Sequence, residues 1–307
     1  MENLEINPLS YDEVSVVLAI YNGEQYLHKQ LSSILAQKFV TIKDLIIVDD
    51  QSTDQSAEII REFQQNHSFI KFLSNPVNLG PIGSFIAGSK LSTTEYTAFA
   101  DQDDIWLDDK LYLSLNQIKK IDDNQRPSVV FSDLEMIDEN DVSIYPSFWK
   151  LYDIIPAKNN FFTIAFGNIA TGCTMLINRQ MLNEFIDMPG NAQMHDHWIM
   201  LIASSLGNWS YLNDRTVYYR VHNNSVTNKA KITFSKKISN FLDAAFSKNP
   251  QFLSASIEQA ELFKLIYKDR LNDLTIRQLN FFIKLKDASG FSRKIISKFR
   301  FQIVKWV

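Results

Sequence analysis

Apolar and polar positions change period several times along the first half of the chain. The runs VSVVLAI (14–20), DLIIVDD (44–50), FIKFLSN (69–75), YTAFAD (96–101) and SVVFSDLEMID (128–138) are of strand length and rich in apolar, often β-branched residues. That is how strands buried on both faces read. Between them apolar residues recur at helical spacing. In EQYLHKQLSSILAQ they are Tyr26, Leu27, Leu31, Ile34 and Leu35, and after STDQS they are Ala57, Ile60 and Phe63. These stripes predict amphipathic helices, the second opened by Ser/Thr/Asp capping residues. NLGPIGSFIAGSKL predicts a Gly/Pro loop and a third helix, and a fourth is expected from about Leu107 to Ile121. Strands alternating with crossover helices imply an α/β fold, with a mainly parallel sheet and helices on both faces.

The pattern then loosens. Residues 145–163 are aromatic-rich and predict a loop or short helices. GCTMLIN (172–178) predicts a strand, RQMLNEFI a helix, HDHWIMLIASSLG (195–207) a helix ending at Gly207, and 209–222 one or two strands. Beyond NNSVTNKAKI the pattern is helical, which places a boundary near residue 228 and leaves 229–307 as a C-terminal helical extension.

Composition adds three constraints. With 307 residues, 45% of them hydrophobic, the chain can bury a sizeable core. The single cysteine, Cys173, cannot form an internal disulfide and suits a reducing compartment, read most simply as a small buried hydrophobe. The acidic N-terminus lacks the form of a signal peptide, and no apolar run approaches the roughly 20 residues of a membrane span. A cytoplasmic protein is expected. The net charge of −4 divides into −14 over residues 1–228 and +10 over 229–307, which suggests two functional regions.

In an open parallel sheet, ligands bind beyond the carboxyl ends of the strands. Here those ends are polar. The first runs into Tyr21-Asn22-Gly23-Glu24, the second ends in Asp49-Asp50, the third leads to Asn78-Leu79-Gly80, and the fourth ends in Asp101-Gln102-Asp103-Asp104. A rim of carboxylates repels a bare phosphate, and a divalent cation resolves the conflict: Mg²⁺ and Mn²⁺ take oxygen ligands and bridge to substrate phosphates. Asp49-Asp50-Gln51-Ser52 also reads as a strand-to-helix turn capped by Ser52 or Thr53. Asp108 and Asp109 fit the first turn of the following helix, where negative charge suits the dipole.

VVLAIYNGEQYLHKQLSSIL, LIIVDDQSTDQS, NLGPIGSF and FADQDDIW occur in that order, each at a strand-to-loop junction. Over roughly residues 14–225 this resembles the family 2 glycosyltransferases, inverting enzymes of the Rossmann-like GT-A fold that use nucleotide-sugars. The resemblance implies that Tyr21, Glu24, Asp49, Asp50, Asn78, Gly80 and Asp101 hold the nucleotide-sugar, with Asp50 the base contact and Asp101 near the ribose or a bound water. It implies Asp103 as ligand of Mn²⁺ or Mg²⁺, with Asp101 beside it and Asp104 in support at the substrate. MHDHWIMLIA matches the family's base-bearing helix start. Asp196 is then the general base, kept ionised by the helix N-terminus, with His195 flanking it and Trp198 walling the sugar pocket or lying in the core. His195-Asp196-His197 is also compatible with zinc, although tetrahedral sites want further N/S ligands. YYRVHNNSVT resembles the element that closes the site, with Arg220 at phosphate and His222 at metal or diphosphate. The combination looks most like the rhamnosyltransferase branch, implying dTDP-L-rhamnose as donor and a surface-polysaccharide chain or its lipid-linked precursor as acceptor.

The tail FSRKIISKFRFQIVKWV (291–307) has five basic residues and no acid. Phe291, Ile295, Ile296, Phe299, Ile303 and Trp306 share one face of a helical wheel, with Lys294, Lys298 and Lys305 opposite. Such a helix suits an anionic membrane surface, on the inner face of the cell membrane, or packing on protein. No nucleic-acid-binding module is recognised. Two rival readings are a sugar nucleotidyltransferase, which would want a Gly-rich phosphate loop after the first strand, and a silent binding protein of the same fold. The oligomeric state is left open.

Overall fold

The computed structural model describes residues 12–221 and 250–287. Strand and helix alternate as β1 (Glu13–Ile20), α1 (Glu24–Leu35), β2 (Thr41–Asp49), α2 (Ser56–Asn66), β3 (Ile70–Ser74), α3 (Gly80–Ser89) and β4 (Tyr96–Asp101). There follow β5 (Ile105–Trp106), α4 (Lys110–Ile118), β6 (Ser128–Ile137), β7 (Ser143–Tyr145), and two short helices, α5 (Phe148–Leu151) and α6 (Phe161–Phe166). The rest comprises a 3-10 turn at Gly172–Thr174, β8 (Leu176–Asn178), α7 (Arg179–Ile186), α8 (His195–Leu206), β9 (Asn208–Arg220), α9 (Pro250–Tyr267) and α10 (Asp273–Lys284).

The strands form one sheet in the order β3-β2-β1-β4-β8-β6-β9-β5, with β7 on β6. The first four are parallel, as the crossover pattern requires. Beyond β4 the sheet is mixed. β8 runs antiparallel to both β4 and β6, β6 and β9 are parallel, and β5 and β7 pair antiparallel to β9 and β6. The expected mainly parallel sheet therefore describes one half of the molecule. All four parallel carboxyl ends lie on one rim.

Alternate residues of each strand feed two cores. Val14, Val16, Leu18 and Ile20 of β1 pack with Leu27, Leu31 and Ile34 of α1, Ile60 of α2, and Leu111, Leu115 and Ile118 of α4. Val17, Ile46, Val48 and Phe99 face the other way, onto Phe85 of α3, Leu182 and Phe185 of α7, and the apolar length of α8. Helix α3 comes close to the sheet because Gly88 lacks a side chain; a Cβ there would lie 2.5 Å from Val17 and 2.9 Å from Val48.

Helices α9 and α10 belong to this second core. Phe263 meets Trp198 at 5.4 Å between ring centroids, and Phe282 meets Phe166 at 4.2 Å. The charge asymmetry thus does not separate these two helices from the sheet. The expected boundary near 228 and the tail 291–307 lie outside the described residues.

Three local expectations change. The helix read from Leu107 starts at Lys110, because Ile105 and Trp106 pair with Tyr218 and Val217 of β9. Asp109 takes the N-cap position and Asp108 precedes it, paired with Lys38, so neither lies in the first turn. The strand read over 172–178 shortens to Leu176–Asn178, since Gly172–Thr174 closes a 3-10 turn. At α2 the cap position falls to Gln55, and the Asp54 carboxylate takes the Ser56 N–H at 3.0 Å.

Candidate active site

The rim is laced together before any ligand is considered. Asn22 and Glu24, after β1, interlock with the loop after β2. The Asn22 N–H donates to Ser52 Oγ at 2.9 Å and the Glu24 N–H to Asp54 at 3.0 Å, while the Gln55 N–H donates to the Glu24 carboxylate at 2.8 Å. The Glu24 carboxylate is thereby committed to the protein. The Tyr21 ring is half exposed on the rim.

Asp50 organises the third loop. Its carboxylate, nearly buried, accepts the Leu79 and Gly80 N–H groups at 2.8 and 2.7 Å and Asn75 Nδ2 at 2.7 Å. Asn78 Nδ2 donates to the Asp50 carbonyl at 3.0 Å. Gly80 holds φ +71°, a left-handed conformation that favours glycine. Asp49 accepts the Ser52 N–H at 3.0 Å. Asp50, Asn78 and Gly80 are brought together, with the Asp50 carboxylate turned onto the loop that precedes α3, while Asp49 holds Ser52 of the loop after β2.

At the end of β4 the acids crowd. Burial pushes Asp101 up to about 7, with Asp103 and Asp196 adding to the rise. Asp104 is fully buried and accepts the Arg220 N–H at 3.1 Å. Burial, then Asp103 and Asp101, raises it well above the carboxylate range. Oxygens of Asp101 and Asp104 and the Cys173 sulfur lie within 4.8 Å of one another, a cluster that does not include Asp103. The Cys173 thiol is pushed well up by burial and the nearby Asp104 and Asp101, so it stays protonated. Beneath the turn, Lys110 is fully buried with its ammonium 4.3 Å from the Trp106 ring centroid, and burial pulls it down to about 8.

Asp196 sits in the first turn of α8, where its carboxylate accepts the His197 N–H at 2.6 Å. Burial pushes it up to about 6, against the pull of the His197 and Gly172 N–H groups and the Asn168 side chain. Desolvation outweighs the helix N-terminus in setting this carboxyl above its usual range.

Burial corrects three other assignments and, for Trp198, decides between the two readings. Asp104 has no exposed surface and supports the turn from within, away from substrate. Trp198 is 0% exposed against Phe263 and Tyr267, so it is core and no wall of a sugar pocket. His195 is boxed by Phe85, Phe99 and Phe185, and burial pulls it down to about 4, which keeps it neutral and away from substrate. The Arg220 side chain is 0% exposed, so it is closed to a donor phosphate. The zinc alternative fails as well. Both ring nitrogens of His197 are engaged, Nε2 with the Ile164 carbonyl at 2.7 Å and Nδ1 with Gln259 at 2.8 Å. His222 lies outside the described residues.

Two contributors went unread in the sequence. Gln102, the middle residue of Asp-x-Asp, binds the Tyr21 backbone and fills the space beside Gly23, where a Cβ would lie 2.7 Å from its Oε1. Gln259 of α9 reaches His197 on α8 from far along the chain; no local signal marks it.

A parallel rim of this kind, with an acid turn and a buried carboxylate facing it, defines an α/β enzyme of the GT-A type. The chain belongs to the family described as Glycosyl transferase family 2, whose model matches residues 15–185. It is a glycosyltransferase that takes its sugar from a nucleotide-sugar. It is 33% identical over 235 residues to the dTDP-rhamnosyl transferase RfbG of Shigella flexneri, covering 72% of this chain and 76% of that one. Among solved structures it resembles S. aureus TarS in complex with UDP-GlcNAc, with TM-score 0.57 and 17% identity over 89% of this chain and 81% of that one. It also resembles the mannosyltransferase PcManGT from Pyrobaculum calidifontis in complex with GDP-Man and Mn²⁺, with TM-score 0.56 and 14% identity over 96% and 86%. At these identities the two structures speak for the fold.

Proposed function

We infer that the protein is a divalent-cation-dependent, inverting glycosyltransferase. It moves L-rhamnose from dTDP-rhamnose to a hydroxyl of a cell-surface polysaccharide or its lipid-linked precursor. The observation that carries this reading is that the Asp101 carboxyl, at the end of β4, lies close enough to Asp103 in the following turn and to Asp196 at the start of α8 for both charges to act on it. The donor sugar is read from the likeness to RfbG.

The residues fit a hard dication. The available donors are carboxylate oxygens; the Asp103 charge raises the proton affinity of Asp101, and such repulsion falls when a dication joins them. Asp103 and Asp101 would hold it, as Mn²⁺ or Mg²⁺. When bound, it supplies charge neutralisation at the departing diphosphate.

Asp196 takes the proton from the acceptor hydroxyl. The acceptor oxygen forms its bond to the anomeric carbon from the side opposite the leaving group. The bond to the diphosphate breaks, and the nucleoside diphosphate departs with that electron pair. A base near 6 is mostly ionised at neutral pH yet basic enough to accept a proton as the transition state forms. Tyr21 and the loop held by Asp49 and Asp50 take the nucleoside.

No helix among the described residues is long and apolar enough to cross a membrane. Contact with an anionic, inner-face membrane surface, suited to a lipid-linked acceptor, is assigned to residues 291–307 from their sequence pattern.

The test is thermal denaturation with a panel of nucleotide-sugars, with and without Mn²⁺. A ligand that binds the native state raises its apparent stability. The largest rise is expected with dTDP-rhamnose plus Mn²⁺. A larger rise with UDP-GlcNAc, UDP-glucose or GDP-mannose rejects rhamnose, and equal rises without Mn²⁺ reject the metal.

A further inference from the structure

Arg220 closes β9 directly beneath the acid turn. Its N–H donates to Asp104 Oδ1 at 3.1 Å, and its Nε donates to the Asp103 carbonyl at 2.8 Å. The rest of the guanidinium is anchored elsewhere. Nη1 donates to the Asp138 carbonyl at 2.8 Å, Nη2 pairs with Asp141 at 2.6 Å, and the plane lies over the Tyr26 ring at 4.5 Å. Asp141 is itself paired with Lys29 of α1 and adopts φ +68°, a strained conformation for a non-glycine residue. Four separate parts of the fold therefore meet on one side chain: the turn after β4, the β6–β7 loop, α1 and β9.

A guanidinium is planar, permanently charged and offers five donors in a fixed fork, and lysine reproduces the charge without the fork. Hydrogen bonds from Lys29 and from the guanidinium hold the Asp141 carboxyl below its usual range.

We propose that Arg220 is a positioning residue that fixes the Asp101–Asp104 turn, so that the Asp103 carboxylate is presented to the dication and the donor diphosphate. It acts through the Asp103 carbonyl and the Asp104 carboxylate, and its own side chain stays out of the pocket. The loop carrying Asp138 and Asp141 is the brace that holds the guanidinium in register. This proposal rests on the metal-dependent reading above.

The experiment is titration with Mn²⁺ in the presence of dTDP, with free Mn²⁺ followed by its paramagnetic resonance signal. Wild type, Asp103→Asn, Arg220→Lys and Asp141→Ala are compared at equal folded concentration. Loss of an outer-shell partner typically weakens metal affinity by roughly 10–100-fold, and Arg220→Lys is expected in that range. Asp141→Ala, in a partly exposed loop, is expected to shift affinity in the same direction by less, with its metal-free melting temperature little changed. Wild-type affinity in both variants overturns the positioning role while leaving the metal reading intact. If Arg220→Lys does not fold, Asp141→Ala decides alone. A wild type that binds no Mn²⁺, or an Asp103→Asn that binds it normally, overturns the metal reading and this proposal with it.

Discussion

Gln102 and Tyr21 exchange two hydrogen bonds across the rim of the sheet. The Tyr21 N–H donates to Gln102 Oε1 at 2.7 Å, and Gln102 Nε2 donates to the Tyr21 carbonyl at 3.1 Å. The loop after β1 and the acid turn after β4 are thereby fastened side to side. Gln102→Ala removes both bonds without touching a carboxylate. The expected result is a donor KM raised by about tenfold, the equivalent of about 1.4 kcal/mol, with kcat changed much less. Steady-state kinetics over donor concentration checks the split.

Asp196→Asn is expected to keep donor binding and to lose transfer by about 10²–10⁴-fold, the usual contribution of a general base. With Asp196 pushed up to about 6, wild-type kcat/KM should rise with pH through about 6 and then level. The stability effect has the opposite sign. A carboxyl raised in the folded state favours the protonated fold, so its contribution is present below about 3.8 and is lost as pH rises through about 6. Asp196→Asn should therefore melt higher than wild type at pH 8, with the gap closing towards pH 4. Melting curves across that range check it.

Asp103→Asn is expected to abolish the extra stabilisation that Mn²⁺ gives in the presence of donor, while leaving the melting temperature without metal equal or higher, since one of several crowded charges is gone. A thermal-shift pair with and without Mn²⁺ reads this directly.

Trp198→Ala is expected to cost about 3–5 kcal/mol, as for other large core truncations, measured by urea unfolding. Donor KM at low temperature, where the variant stays folded, should not move. A change in donor KM without a loss of stability would return Trp198 to the sugar pocket.

Deleting residues 291–307 is expected to release the protein from vesicles rich in anionic lipid, as seen by co-sedimentation. Failure of the intact chain to sediment with such vesicles removes the interface-helix reading.

Much of the fold was legible because the signals are local. Each of the first four strands is an apolar run that stops at polar residues, and α8 is an apolar helix opening on His195-Asp196. Long-range pairing was illegible. Ile105 and Trp106 form a strand only because Tyr218 and Val217 lie beside them. Burial of polar types was equally hidden. Arg220, Asp104 and His195 look like site residues by chemistry, and their enclosure comes from elements far along the chain. For Trp198 a signal existed: WIMLIA is apolar on every side, as a buried helix should be.

The bond between Gln259 and His197, 62 residues apart in sequence yet one residue from Asp196, sets a rule for recombination between relatives. A chimera that imports a different C-terminal region to change the acceptor also replaces the partner of His197 Nδ1. Grafts that keep a side-chain amide at position 259 should preserve the setting of Asp196 at the start of α8, and grafts that place an apolar residue there should trade turnover for the new specificity.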